Sequence, residues 1–250
     1  MLLKIMHKDG TQDETVLTAD RFLGPYTKVR EGLRPLNMSA GDFDLVVAPD
    51  GKAYYMFERV HSETIIADLT DDYTDVTGYY STHFPHPYPP YVREATAHFM
   101  RNGKHYLITS GTTGYLPNPS EVAVADTWHG PYTVLGNPHP GDETDTSYHS
   151  QISSVFKVPG KKDLYIACAD RWLPNAMDKD YHVYKKMFEA IFSGKKEEFD
   201  FSSMGEPVVE ETRIADYVWL PLRFAEPCEE YPNGMVFVDW KDEWRIEDYE

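Results

Sequence analysis

Two acids and an amide recur at one slot of a repeated phrase in this chain: Asp42, Glu94 and Gln151. Each lies about eight or nine residues before a hairpin turn. The turns are Asp50-Gly51-Lys52-Ala53-Tyr54, Asn102-Gly103-Lys104-His105-Tyr106 and, more loosely, Gly160-Lys161-Lys162-Asp163-Leu164-Tyr165. Cleavage of a glycosidic bond needs a carboxylic acid whose neighbours keep its proton available for the departing oxygen. Glu94, in Arg93-Glu94-Ala95, is the candidate acid, and Asp42, in Ser39-Ala40-Gly41-Asp42, is its candidate partner. Asp44, two residues on, competes for the second role. The bland alternative for Glu94 is a loop glutamate paired with Arg93, but its repeat equivalence with Asp42 favours the functional reading. Gln151 cannot act as an ordinary base. Its amide can hold a sugar hydroxyl or a water, which leaves it as a substrate contact or a structural residue.

A repeat of roughly 50 residues is the period of a four-stranded propeller blade. The inner strand of each blade starts at one mouth of the central channel, so equivalent residues of successive blades meet around a single axis. A second phrase keeps the same period: Ala19-Asp20 before Gly24-Pro25-Tyr26-Thr27, and Ala125-Asp126 before Gly130-Pro131-Tyr132-Thr133, with a shortened copy from Ala67-Asp68 to Tyr73-Thr74. The expected fold is therefore all-β, a single propeller-type domain over residues 1–250. Residues 1–40 read as the second half of a blade whose inner strand and hairpin are not in the sequence. Tyr181, Tyr184, Met187, Phe188, Ile191 and Phe192 recur at helical spacing and end at Gly194, which predicts a helical insertion over 177–194, packed on the outer surface in preference to a lid over substrate. Tyr115, Trp172 and Glu58 end second strands, so they should stand near the same mouth, the rings as sugar platforms or as edge packing between blades, and the acid as a hydroxyl ligand.

The bulk composition fits a neutral substrate. The net charge of -17 argues against nucleic acid and anionic membranes, and 18 tyrosines suit both strands and carbohydrate platforms. No apolar run reaches membrane-spanning length, and the start is too soon charged for a signal peptide, which makes the cytoplasm the default compartment. His83, His86, His98, His139 and His149 fall without ligand spacing, so neither a metal nor a cofactor is expected. Cys168 and Cys228 read as idle thiols rather than a disulfide.

Five segments together resemble glycoside hydrolase family 43, in its branch of exo-acting β-1,3-galactanases. They are Ser39-Ala40-Gly41-Asp42, Arg93-Glu94-Ala95, the run from Lys104 to Gly114, Asp170-Arg171-Trp172, and Tyr217-Val218-Trp219-Leu220-Pro221-Leu222. The resemblance implies a five-bladed propeller, here without the first blade and the front half of the second. It implies inverting release of galactose from β-1,3-linked galactan. Glu94 would be the general acid, Asp42 the carboxylate that tunes it, and Gln151 the amide beside the attacking water. Tyr115, Trp172, Thr113 and Glu58 would contact the sugar, Tyr115 standing where the family usually has a Trp. Gly41 departs from the family's usual Arg. The shortened ring implies either a fragment or a reduced propeller closed by association into a homo-oligomer. The competing readings are a degenerate, non-catalytic sugar-binding propeller and a related arabinosidase or xylosidase.

Overall fold

The computed structural model describes residues 1–204 and 208–250. Its strands pair antiparallel with their sequence neighbours, giving four sheets in chain order. The first holds β1 (Leu2–Met6), β2 (Gln12–Thr18) and β3 (Thr27–Leu33). The second holds β4 (Ala40–Val47), β5 (Ala53–Arg59), β6 (Glu63–Leu69) and β7 (Val76–His83). The third is β8 (Arg93–Arg101), β9 (Lys104–Gly111), β10 (Glu121–Ala125) and β11 (Thr133–Gly136). The fourth is β12 (Gln151–Lys157), β13 (Tyr165–Arg171), β14 (Asp216–Ala225) and β15 (Met235–Val238). The inner strands β4, β8 and β12 pack side by side, as blades do around an axis.

Local chemistry explains the hairpins. Asn102 and Gly103 both have positive φ, +52° and +76°, which the tight turn between β8 and β9 requires and which Asn-Gly supplies at least strain. The blades are joined by alternating side chains. On β5, Tyr55 and Phe57 pack with Ala40, Ile65 and Ala67 toward the first sheet. Tyr54 and Met56 turn to the other face and pack with Ile66 and Leu107, and Tyr54 stacks on Trp128 with ring centroids 4.1 Å apart. Each such burial stabilises by about 1.5–3 kcal/mol. Phe99, Tyr106, Ile108 and Val122 meet Tyr165, Val218, Leu220 and Val236 between the third and fourth sheets.

One blade is incomplete and one expectation is corrected. The first sheet holds three strands, and the Ala-Asp phrase links β2 to β3 as it links β10 to β11, so β1 stands as a second strand and the inner one is missing among the described residues, as expected. The insertion forms α1 (Tyr181–Phe192), capped by Asp180 accepting from the His182 amide at 2.8 Å, but it does not lie on the outer flank. The Tyr181 amide donates to the Thr144 carbonyl at 3.1 Å, the Tyr91 hydroxyl to Glu189, and Phe192 meets His61 edge-on at 5.0 Å. All three contacts lie at the end where the inner strands begin.

One buried acid has a stability consequence. Glu14 on β2 is 0% exposed; its Oε1 accepts from the Tyr55 hydroxyl at 3.0 Å, and its Oε2 has no hydrogen-bond partner. Burial raises its pKa from 4.5 to about 7, against the downward pull of Tyr55 and Lys4. A carboxyl raised on folding favours the native state when protonated, and that contribution is lost as pH rises through about 7. Glu14→Gln retains an acceptor for Tyr55. It should leave urea stability nearly unchanged at pH 5 and increase it by about 1–2 kcal/mol at pH 8. A gain confined to pH 5 would contradict the assignment.

Candidate active site

Every inner strand is irregular where it starts. Register slips fall between Ala40 and Phe43 on β4, between Glu94 and Ala97 on β8, and between Ile152 and Ser154 on β12. A bulge sharpens the local twist and re-aims the side chains around it. Asp42 lies within the first, Glu94 opens the second, and Gln151 immediately precedes the third. Beside Glu94, Ala95 takes φ +48°, a conformation that a β-carbon disfavours.

Asp42, Glu58 and Glu94 meet around one cation. The ammonium of Lys4, reaching from β1, donates to Asp42 and also feels the charges of Glu94 and Glu58. Burial works against the charged form of Lys4, yet these acids hold its pKa above the ordinary value. Glu58, 3% exposed at the end of β5, accepts from the His61 amide at 2.7 Å, and its other oxygen lies against Gly41, where a β-carbon would collide with it. The structure thus puts the Glu58 carboxylate beside the glycine that departs from the family pattern. Burial, then the Asp42 charge, lifts Glu58 to about 7. Glu94 is raised well above the carboxylate range, chiefly by burial and then by Asp42 and Glu58, with Lys4 and the Thr112 hydroxyl pulling the other way. Such a group holds its proton to higher pH than an ordinary carboxyl, the direction a general acid requires.

Gln151 is oriented by hydrogen bonds at both ends. Its Nε2 donates to Ser110 Oγ at 2.8 Å, and its Oε1 accepts from Trp172 Nε1 at 2.9 Å. The indole N–H can only donate, so it fixes which end of the amide is oxygen. One amide hydrogen and one lone pair remain uncommitted in these contacts. Ser110 stands directly across the β8–β9 ladder from Glu94, which brings Gln151 within one side chain of the acid.

Two arginines, Arg93 buried and Arg171 half-buried, frame these positions. Arg93 turns away from Glu94: it donates to the Thr109 hydroxyl at 3.0 Å, and to the carbonyls of Thr109 at 2.6 Å and Pro119 at 3.3 Å. Arg171 donates to the carbonyls of Tyr148 and His149 at 3.0 and 3.3 Å. Those carbonyls belong to Ser147-Tyr148-His149, three successive left-handed residues leading into Gln151. Asp142 supports the same run by accepting from the Thr146 and Tyr148 amides at 2.8 and 3.1 Å.

The remaining sequence candidates divide. Tyr115, 43% exposed, lies 5.7 Å from Trp172 between ring centroids, and together with Gln151 and His149 they line one narrow crevice. Thr113 is buried; its hydroxyl donates to the Leu116 carbonyl and accepts from Asn118 Nδ2 at 2.7 Å, so it braces the loop carrying Tyr115. Asp44 is drawn out of the cluster, accepting from the His98 amide at 2.9 Å and tying β4 to β8. The histidines are dispersed. His98 meets His105 at 3.1 Å and His83 meets Ser81 at 2.8 Å, and no group of three or more metal-ligating side chains converges among the described residues. Cys168 and Cys228 are both free thiols. Also among the described residues, no helix is long and apolar enough to cross a membrane.

Sequence reasoning missed Lys4, Ser110 and Arg171. Lys4 sits mid-strand in Leu2-Leu3-Lys4-Ile5-Met6 with nothing local to mark it. Ser110 was within reach of the reasoning, because the hairpin register places it opposite Glu94.

No curated protein matches the chain. Among solved structures, it resembles a family-43 β-1,3-galactosidase at 26% identity and TM-score 0.70, over 94% of this chain and 40% of that one. A second family-43 β-1,3-galactosidase, solved with galactodeoxynojirimycin, gives 23% identity and TM-score 0.68, over 98% of this chain and 76% of that one. An exo-β-1,3-galactanase from Phanerochaete chrysosporium, solved with β-1,3-galactotriose, gives 20% identity and TM-score 0.64, over 89% and 42%. The chain thus spans well under half the length of the first and third of these. The family model of glycosyl hydrolases family 43 matches residues 4–185, most of the sequence, and the chain belongs to that family.

Proposed function

We propose that this chain carries the catalytic centre of an exo-acting glycosidase that releases galactose from β-1,3-linked galactan with inversion at the anomeric carbon. The observation that carries the reading is the grouping of Glu94, held well above the ordinary carboxylate range by burial and its acidic neighbours, with Asp42 and Glu58, one side chain away from an amide held in a fixed orientation. The galactosidase and galactanase names of the similar structures support the choice of sugar.

In this mechanism Glu94 gives its proton to the glycosidic oxygen as the bond from that oxygen to C1 breaks. Positive charge then develops on C1 and the ring oxygen, and the carboxylates of Asp42 and Glu58 stabilise it. The free lone pair of Gln151 Oε1 accepts from a water and aims it at the opposite face of C1. An amide is too weakly basic to keep a proton, so the water's proton passes to solvent as the new bond forms. Solvent then returns a proton to Glu94. Activity needs the protonated acid, so it falls on the alkaline side as pH passes the raised pKa of Glu94.

The direct test follows hydrolysis of β-1,3-galactan by proton NMR, with α-galactose expected as the first product. Glu94→Gln should lower turnover by roughly a thousandfold or more while the melting temperature holds. Galactose release by the variant at the wild-type rate would remove Glu94 from the role, and absence of release by the wild type would remove the substrate. Trp172→Phe keeps the ring but loses the N–H that orients Gln151. It should cut kcat about tenfold with little change in KM, the value of about one neutral hydrogen bond at the water.

A further inference from the structure

We propose that Lys4 is a positioning residue of this site, fixing the Asp42 carboxylate and neutralising one of the three acids that converge at the channel mouth. The proposal deepens the glycosidase reading above and rests on it. Lys4 is the one cation whose side chain enters the cluster among the described residues, and it comes from a different sheet than any of the acids it serves. Its ammonium donates to Asp42 Oδ1, with both side chains about one-third exposed. Arg93, although adjacent to Glu94 in sequence, spends its guanidinium on backbone carbonyls and the Thr109 hydroxyl.

The charges facing Lys4 come from four strands. Asp42 reaches it from β4, Glu58 from β5 and Glu94 from β8. Glu14 lies directly opposite on β2, in the pair Lys4↔Glu14. Glu94 in turn faces Asp42, Glu58, Lys4 and the Thr112 hydroxyl. Without the lysine, the charge of an ionised Glu94 would meet Asp42 and Glu58 with only the backbone-bound guanidinium of Arg93 near enough to offset it. The proton of Glu94 would then be held too tightly to transfer well, because a general acid works best when its pKa lies near the operating pH. Asp42 would also lose the hydrogen bond that sets its direction. Lys4 thus keeps the acid strong enough to act.

The test compares Lys4→Met, Lys4→Arg and the wild type in the full chain. In Lys4→Met the alkaline limb of the kcat/KM profile on β-1,3-galactan should move up by about one pH unit, and kcat near pH 6 should fall about tenfold. Lys4→Arg should restore the wild-type limb. Carbon-13 NMR of side-chain-labelled glutamate, assigned with Glu94→Gln, reads the same upward shift of the Glu94 titration in the resting protein. That measurement needs no substrate, so it separates failure of this proposal from failure of the galactan reading. If Lys4→Met does not fold, Lys4→Gln is read in its place. A folded neutral variant with an unmoved Glu94 titration overturns the proposal, as does Lys4→Arg behaving like Lys4→Met.

Discussion

The site depends on one backbone irregularity made three times. Each inner strand abandons regular pairing where it enters the channel mouth, and the slip re-aims the residue beside it. In an unbroken strand, side chains would alternate between the two blade faces, and both faces are already committed to the packing that joins neighbouring sheets. The bulges release Asp42, Glu94 and Gln151 from that choice. Supports stand around this distortion: Arg93 binds the Thr109 carbonyl beside the second slip, and Arg171 and Asp142 bind carbonyls and amides of the loop leading into Gln151. Strain of this kind persists only where the surroundings over-determine it.

Electrostatics then follow from the convergence. Three acids and one ammonium share a partly buried mouth, where burial and mutual repulsion hold Glu94 well above the carboxylate range and lift Glu58 to about 7, while Lys4 pulls the other way. The same fold uses related acids for other ends. Asp44 lies two residues from Asp42 yet serves as a tether to the next blade, and Glu14 is sealed between strands with one oxygen unpartnered. Chemically identical groups acquire different roles from burial and partners alone.

The blade period and the hairpins were legible because turns and alternating strands are local and recur. The convergence of Asp42 with Glu94 followed from that period without coordinates. The choice between Asp42 and Asp44 did not, since it rests on a bulge that residue types do not announce. Lys4 was invisible for a related reason: its role arises where two sheets approach, and its neighbours Leu3 and Ile5 describe only an ordinary strand. The helix was readable from its periodicity, whereas its seat against His61, Tyr91 and Thr144 depends on contacts far away in sequence. Thr113 shows the converse. A residue carried over on resemblance alone turns out to have its hydroxyl engaged in bracing its own loop.

The central claim is that three equivalent strand starts build one sugar pocket. A crystal structure of the inactive Glu94→Gln chain soaked with β-1,3-galactobiose measures it most directly. The account predicts a single terminal galactose ring within hydrogen-bond reach of Asp42, Glu58 and the Gln151 amide, with its glycosidic oxygen against residue 94. A disaccharide seated elsewhere, or one ring unable to touch both Asp42 and Gln151, would contradict it.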